Sequence, residues 1–166
     1  MIDPAFSAGV LILSDKGALG ERDDLCGPLI KEALEKQGFQ VLAYRVLPDD
    51  YEEILVVLLD WIDRKGFDLV ITSGGTGLSP RDVTPEATLA AVEKEIPGIA
   101  EAIRAEGLKH TPYAMLSRGV AGIRKESLII NLPGSPKAVE ESLTVILPVL
   151  KHALEKIKGS TKDCAR

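Results

Sequence analysis

The residues best suited to chemistry form a glycine-rich stretch, Ser-Gly-Gly-Thr-Gly at 73–77, which follows the apolar run Leu-Val-Ile at 69–71. Glycines at this density permit positive φ angles and let backbone N–H groups approach a ligand closely, which suits phosphate binding. The spacing matches neither the P-loop nor the common dinucleotide fingerprint. The glycines alone therefore predict either an anion site or only a tight turn between a strand and a helix.

Charged residues follow these glycines at Arg81 and Asp82, and a helix start is predicted at Thr84-Pro85 with Thr84 as its N-cap. Arg81 and Asp82 supply one positive charge and one carboxylate, which suits an anion held through a metal ion. A surface ion pair between the two side chains is the competing interpretation. The local sequence leaves both open.

Polar residues also follow the other predicted strands. Ser14 and Asp15 come after the apolar run 8–13, Asp49 comes after the strand candidate 40–46, and a second glycine turn follows the strand 127–132. Turn chemistry explains Ser14 and Asp15 equally well, and a helix cap explains Asp49. Because the carboxyl ends of parallel strands meet at one edge, we expect Ser14, Asp49, Asp82 and both glycine turns to converge there.

Apolar periodicity supplies the elements that must position these residues. Strand candidates alternate with amphipathic helices, which predicts one doubly wound α/β domain. A helix is predicted over 84–95, and the strands 120–123 and 127–132 are expected to form an antiparallel hairpin at the sheet edge. Pro148 lies inside the last apolar stripe and predicts a kink or local break there.

Composition narrows the functional classes. The chain has 166 residues and a net charge of -5, so general affinity for nucleic acid or an anionic membrane is not expected. Cys26 and Cys164 form no C-x-x-C pair, and no His or Cys has a partner at zinc-ligand spacing. No apolar run is long enough to span a membrane or resembles an export signal, so we expect a cytoplasmic protein. Residues 1–158 are predicted to form a single domain, followed by a polar tail at 159–166.

Five segments in this order resemble the molybdenum cofactor biosynthesis family that includes the MogA and MoaB proteins and the gephyrin G domain. They are Ser14-Asp15, Leu47-Pro48-Asp49, residues 72–77 with Arg81-Asp-Val-Thr-Pro85, Leu116-Ser117-Arg118-Gly119 and Asn131-Leu-Pro-Gly-Ser-Pro136. The likeness spans nearly the whole chain. It implies a three-layer αβα sandwich with a mostly parallel sheet, usually assembled as a homotrimer, that adenylylates molybdopterin from ATP and Mg²⁺ with release of pyrophosphate.

The resemblance also implies residue roles. Asp49 and Asp82 match the acidic positions that serve catalysis and bind Mg²⁺ together with substrate phosphates. Nucleotide and phosphate binding is implied for Ser73, Gly74, Gly75, Thr76, Gly77 and Arg81. Molybdopterin or nucleotide contacts are implied for Ser14, Asp15, Ser117, Asn131, Pro133, Gly134 and Ser135.

Two other functions remain open at this stage. One is a CinA-type domain, which shares the fold and acts on ADP-ribose or related pyrophosphates, although Thr76 and Arg81 fit the cofactor family's loop better. The other is a non-catalytic module that binds molybdopterin or docks a partner from the same biosynthetic pathway. The presence of both Asp49 and Asp82 favours the enzyme over the scaffold.

Overall fold

A computed structural model describes residues 5–161 as a six-stranded sheet with helices on both faces. The strands are Ser7–Leu13 (β1), Gln40–Leu47 (β2), Leu69–Ser73 (β3), Lys94–Glu95 (β4), Ala121–Arg124 (β5) and Ser127–Leu132 (β6). The α-helices are Asp15–Ala18 (α1), Cys26–Lys36 (α2), Tyr51–Leu59 (α3), Thr84–Ala91 (α4), Pro97–Leu108 (α5) and Pro136–Ile157 (α6). A π-helical turn at Asp60–Arg64 continues α3, and a 3-10 turn lies at Pro112–Leu116. Residues 162–166 of the predicted tail, including Cys164, lie outside the described residues.

The strand order is β2-β1-β3-β6-β5-β4, and the first four strands in this order run parallel to one another. β5 is antiparallel to β6, and β4 is antiparallel to β5. This arrangement confirms the predicted mostly parallel α/β fold. Because β1 lies between β2 and β3, the chain crosses over in opposite directions on either side of β1, and a cleft opens where the loops after β1 and β3 separate.

Alternating side chains of the central strands fill two separate cores. Val10 and Ile12 of β1 face a core shared with α2, α5 and α6, whereas Leu11 and Leu13 face a core shared with α3 and α4. Trp61, in the π-helical turn, is fully buried in the second core. Parallel strands buried on both faces read as continuous apolar runs, which explains the unbroken runs seen in the sequence.

The edge of the sheet beyond β5 differs from the prediction. The helix predicted over 84–95 ends at Ala91, and the following residues form the short strand β4. The N–H groups of Glu93 and Ile96 donate to the carbonyls of Ile123 and Ala121 at 2.8 Å. The predicted hairpin of β5 and β6 is present, but β4 covers its outer side. Pairing with β5 overrides the local helical pattern here, since those ladder bonds form only in the folded chain.

The longest helix, α6, continues through Pro148 without the predicted break. Pro148 lies on the exposed face, while Leu143 and Ile146 before it and Leu150 and Leu154 after it are buried. Packing on both sides of the proline offsets its helix penalty of about 3 kcal/mol. Among residues 5–161 no helix, α6 included, is long and apolar enough to cross a membrane.

Candidate active site

Loops with polar residues follow the four parallel strands at one edge of the sheet. Ser14 follows β1, Asp49 follows β2, Gly74 follows β3 and Pro133 follows β6. The loops are tied together directly, because the Ser73 hydroxyl donates to the Pro133 carbonyl at 2.7 Å. The strand ends thus bring together segments that are more than a hundred residues apart in sequence.

The turn after β3 requires glycine for two physical reasons. Gly74 and Gly75 have φ angles of +100° and +66°, a region that L side chains rarely adopt. A Cβ at Gly74 would also collide with the Leu13 carbonyl, and one at Gly75 would collide with the Thr84 hydroxyl. That hydroxyl donates to the Gly74 carbonyl at 3.0 Å, so Thr84 braces the turn. The predicted N-cap at Thr84 was wrong, because α4 begins at this residue.

The structure excludes a helix cap as the explanation of Asp49. Asp50 caps α3 instead, since its carboxylate accepts from the N–H of Glu53 at 3.0 Å. Asp49 and Asp15 exchange bonds: the N–H of Asp15 donates to Asp49 Oδ2 at 3.1 Å, and the N–H of Asp49 donates to Asp15 Oδ1 at 2.9 Å. Asp49 Oδ1 is buried without a hydrogen-bond partner. A desolvated carboxylate oxygen in this state needs a cation or donor from a ligand.

The predicted alternative of an Arg81–Asp82 ion pair is also excluded. Arg81 binds Asp15 in a bidentate manner, with Nε 3.0 Å from Oδ2 and Nη2 2.8 Å from Oδ1. Asp82 Oδ2 accepts instead from the N–H of Ser79 at 2.9 Å. Within residues 5–161 no basic side chain forms an ion pair with Asp82, so its charge is available to a ligand.

The pKa values of these carboxyl groups move in opposite directions. Burial raises the pKa of Asp49, and the negative charges of Asp15 and Asp82 raise it further, against the hydrogen bond from Asp15 and the charge of Arg81. The hydrogen bond from Arg81 lowers the pKa of Asp15. The charged form of Asp49 is therefore disfavoured in the fold, and a bound cation would stabilise it.

Two cavities open at this edge and meet at Gly75, Asp82 and Gly134. The first has a volume of about 530 Å³ and is lined by Asp24, Asp49 and Arg22 beside the turn after β3; we call it the acidic cavity. The second has a volume of about 440 Å³ and is lined mainly by α5, the 3-10 turn and α6; we call it the apolar cavity. A group transferred between ligands in the two cavities would pass Asp82.

Most of the predicted site residues line one of these cavities. Those at the acidic cavity are Ser14, Asp49, Ser73, Gly74, Gly75, Asp82 and Gly134. Those at the apolar cavity are Gly75, Thr76, Gly77, Asp82, Ser117, Pro133, Gly134 and Ser135. Asp15, Arg81 and Asn131 line neither, and the first two lie beside Asp49 as described above.

Asn131 lies beneath the site. Its Nδ2 donates to the hydroxyls of Thr72 and Thr88, each at 2.9 Å, and its Oδ1 accepts from the N–H of Val120 at 3.2 Å. The side chain is therefore committed to neighbouring protein groups, and it fixes β6 against β3 and α4 directly under the turn after β3.

Residues 9–152 match the family described as probable molybdopterin binding domain. The chain belongs to this family. A molybdopterin adenylyltransferase from Helicobacter pylori is 42% identical over 154 residues, which cover 92% of this chain and 88% of that protein. The crystal structure of the molybdopterin biosynthesis enzyme MoaB from Thermus thermophilus is 53% identical, with a TM-score of 0.88 over 93% of this chain and 98% of that one.

A CinA protein from Thermoplasma acidophilum also matches, with a TM-score of 0.66 over 90% of this chain and 98% of that one. Its identity is 22%, so this likeness extends to the fold alone. The identities of 42% and 53% to the two relatives above, against 22% to the CinA protein, therefore support the resemblance to the cofactor family over the CinA alternative.

Arg118 braces the site of this family member in a way that residue spacing did not reveal. Its Nε donates to the carbonyl of Gly77 and its Nη2 to that of Asp82, each at 2.7 Å, and it forms an ion pair with Glu86. It therefore holds both ends of the segment that carries Asp82. Its presence in the Leu-Ser-Arg-Gly segment was the only signal, because the contact spans about forty residues.

A second group that the sequence analysis missed is Asp24, which lines the acidic cavity. Its carboxylate accepts from the N–H groups of Cys26 and Gly27, at the start of α2, and from the hydroxyl of Tyr44. An aspartate shortly before a helix start is a capping signal, so this contact could have been predicted.

The acidic residues fit a magnesium ion better than a metal held by protein alone. Among residues 5–161 no three His, Cys, Asp or Glu side chains are grouped to hold a metal ion. Asp49 offers a buried oxygen without a hydrogen-bond partner, and Asp82 faces the same cavity without a basic partner. Mg²⁺ commonly takes one or two carboxylates and completes its shell with water and substrate phosphates.

Proposed function

We propose that this protein transfers the adenylyl group of ATP to molybdopterin in molybdenum cofactor biosynthesis and releases pyrophosphate. The observation that carries the proposal is the position of Asp82 at the boundary of two cavities, with Asp49 in the acidic one. The relative from Helicobacter pylori is named a molybdopterin adenylyltransferase, which supports this activity. The relative from Thermus thermophilus is named a molybdopterin biosynthesis enzyme, which supports the same pathway.

In the proposed reaction a phosphate oxygen of molybdopterin forms a bond to the α-phosphorus of ATP. The bond from that phosphorus to the oxygen bridging to the β-phosphate breaks, and pyrophosphate leaves with the electron pair. No protein nucleophile is needed, because such transfers depend on positioning and charge neutralisation. The task of the chain is to hold two polyanions in line.

The chain's own residues suit this task. The Gly74–Gly75 turn lines the acidic cavity with backbone and no side chain, and Arg22 adds an exposed cation at its wall. Asp49 and Asp82 would hold Mg²⁺, which supplies charge neutralisation for the transferring phosphate. Arg81 keeps Asp15 neutralised, and Asp15 in turn positions Asp49.

Incubation of the purified protein with molybdopterin, ATP and Mg²⁺ tests the proposal. The expected products are pyrophosphate and adenylylated molybdopterin in equal amounts. A scaffold would bind molybdopterin without releasing pyrophosphate, whereas a CinA-type enzyme would hydrolyse ADP-ribose. Either result would overturn the adenylyltransferase assignment.

Arg118→Lys is expected to lower kcat/KM by about tenfold to a hundredfold, the effect of misplacing a positioned group. Lysine keeps the charge but cannot bridge two carbonyls and a carboxylate as the planar guanidinium does. Arg124→Lys is the matched control, since Arg124 likewise binds a carboxylate, Asp63, and a carbonyl, that of Ala91, outside both cavities. Equal kcat/KM values for the two variants would show that Arg118 does not position the site.

We also infer a cytoplasmic homotrimer, in which residues 1–158 form one molybdopterin-binding domain and 159–166 a tail. The homotrimer is inferred from the resemblance to the cofactor family rather than from any periodicity of the sequence. Sedimentation velocity is expected to give the mass of three chains across a wide concentration range. A monomer at every concentration would refute the assembly without affecting the proposed chemistry.

A further inference from the structure

The apolar cavity is lined by one glutamate that the proposed adenylyl transfer does not require. Glu141 of α6 lines this cavity, its side chain is only 15% exposed, and its Oε1 is buried without a hydrogen-bond partner. His110 Nδ1 is 3.6 Å from this oxygen, which is beyond hydrogen-bond length, and His110 Nε2 is 3.4 Å from Glu106 Oε1. Glu141 Oε1 and Asp49 Oδ1 are thus the two buried side-chain atoms without a hydrogen-bond partner in the described part of the fold.

The surroundings of Glu141 favour a flat heterocycle. Ile103, Leu116 and Ala138 contribute apolar walls, and the cavity volume of about 440 Å³ lies within the range of small-molecule sites. Arg104, the basic residue of the lining, donates to the carbonyls of Ser117 and Gly119 and forms no ion pair with Glu141. A ligand here therefore meets apolar surface and the Glu141 carboxylate, which has the imidazole of His110 3.6 Å away.

A carboxylate accepts two parallel hydrogen bonds, so it selects a ring edge with two adjacent donors. The 2-amino-4-oxopyrimidine edge of a pterin has such a pair, N3–H and the 2-amino group. Adenine instead presents a donor next to an acceptor. We propose that Glu141 binds the 2-amino-4-oxopyrimidine edge of the pterin ring and determines specificity for it, leaving the acidic cavity to the phosphates of ATP. The identity of the ring rests on the proposed function.

Two ring compounds that differ only at this edge provide the test. Pterin carries the 2-amino group, whereas lumazine carries an oxygen at the same position and would face the carboxylate with a carbonyl. The wild-type protein is expected to bind pterin at least about tenfold more tightly than lumazine, since an unpaired acceptor and a repulsive contact replace a hydrogen bond. Fluorescence titration at one fixed neutral pH measures both affinities.

Glu141→Gln is expected to weaken pterin binding by about tenfold or more and to remove the preference over lumazine, because the amide can donate to the 2-oxo group. Glu140→Gln is the matched control, because Glu140 is exposed and lies outside both cavities. Glu141→Asp, which keeps the charge but shortens its reach, is expected to weaken pterin binding as well. Thermal unfolding confirms that all three variants are folded.

The inference and the proposed function fail in different ways. Equal affinity of the wild type for pterin and lumazine, or unchanged pterin binding by Glu141→Gln, would overturn the inference. So would a loss of ATP binding by Glu141→Gln, because the apolar cavity would then hold the nucleotide base. A Glu141-dependent preference for pterin in a protein that releases no pyrophosphate would refute adenylyl transfer and leave the pterin site standing.

Discussion

Asp49→Asn is expected to lower the rate of adenylyl transfer strongly and, at the same time, to raise the Tm at neutral pH. The activity falls because the variant loses the negative charge of a carboxylate that would bind the ligand cation, and whose Oδ1 has no hydrogen-bond partner in the fold. The loss should be about a hundredfold or more, as for other groups that stabilise developing charge. Folding improves because burial and neighbouring carboxylates oppose the charged form of Asp49, and asparagine has no charge to bury.

The sign of the pH dependence follows from the raised pKa of Asp49. Above the ordinary value of 3.8 the unfolded chain ionises this carboxyl more readily than the folded one, so the charge costs stability at neutral pH. The Tm advantage of Asp49→Asn should therefore shrink as the pH falls and vanish below about pH 4. Thermal unfolding of both proteins from acidic to neutral pH measures it. A Tm below that of the wild type at neutral pH would contradict this account.

Asp50→Asn is the matched control for this prediction. Asp50 is the next residue, it caps α3, and asparagine caps helices as well as aspartate does. Pyrophosphate release by Asp50→Asn is expected to equal that of the wild type. Normal activity in Asp49→Asn as well would show that neither carboxylate serves the reaction.

The fold could be predicted from the sequence because most of its strands and helices have an apolar pattern within their own residues. Buried parallel strands produce apolar runs, and the helices between them have apolar stripes, so the alternation alone gives the layers. β4 could not be predicted in this way. It has only two residues, Lys94 and Glu95, both exposed, and it exists because β5 offers unpaired backbone groups. Elements that depend on a distant partner carry no periodicity of their own.

The candidate site could likewise be predicted only in part. The loops that follow parallel strands must meet, so the convergence of Asp49 and Asp82 was predictable from strand ends. Strand ends do not reveal which way a side chain points, and Asn131 lies under the site instead of lining a cavity. The apolar wall was not predictable either, because Glu141 reaches it from the second turn of a helix whose rotation is fixed only by packing.

Asp82→Asn is expected to lower the rate of adenylyl transfer by about a thousandfold or more, which corresponds to ~4 kcal/mol of barrier. Asp82 borders both cavities and has no basic partner among residues 5–161. Without a bridging cation, this carboxylate beside the Gly74–Gly75 turn would repel a triphosphate. Asparagine keeps the shape and an oxygen ligand, but it cannot supply the charge that holds the cation.

The stability of the folded state should not change, because asparagine can still accept a hydrogen bond from the N–H of Ser79 and suits turns as well as aspartate does. Molybdopterin binding and the Tm are therefore expected to stay at wild-type values while the rate of adenylyl transfer falls.

A Mg²⁺ titration separates a weakened metal site from a lost one, since excess metal restores activity only where the site is weakened. Asp60→Asn, a change at a partly exposed residue outside both cavities, is expected to match the wild-type rate throughout. Pyrophosphate release by Asp82→Asn at the wild-type rate at every Mg²⁺ concentration would move the metal site to Asp49 and the substrate phosphates alone, because no other aspartate among residues 5–161 lines both cavities.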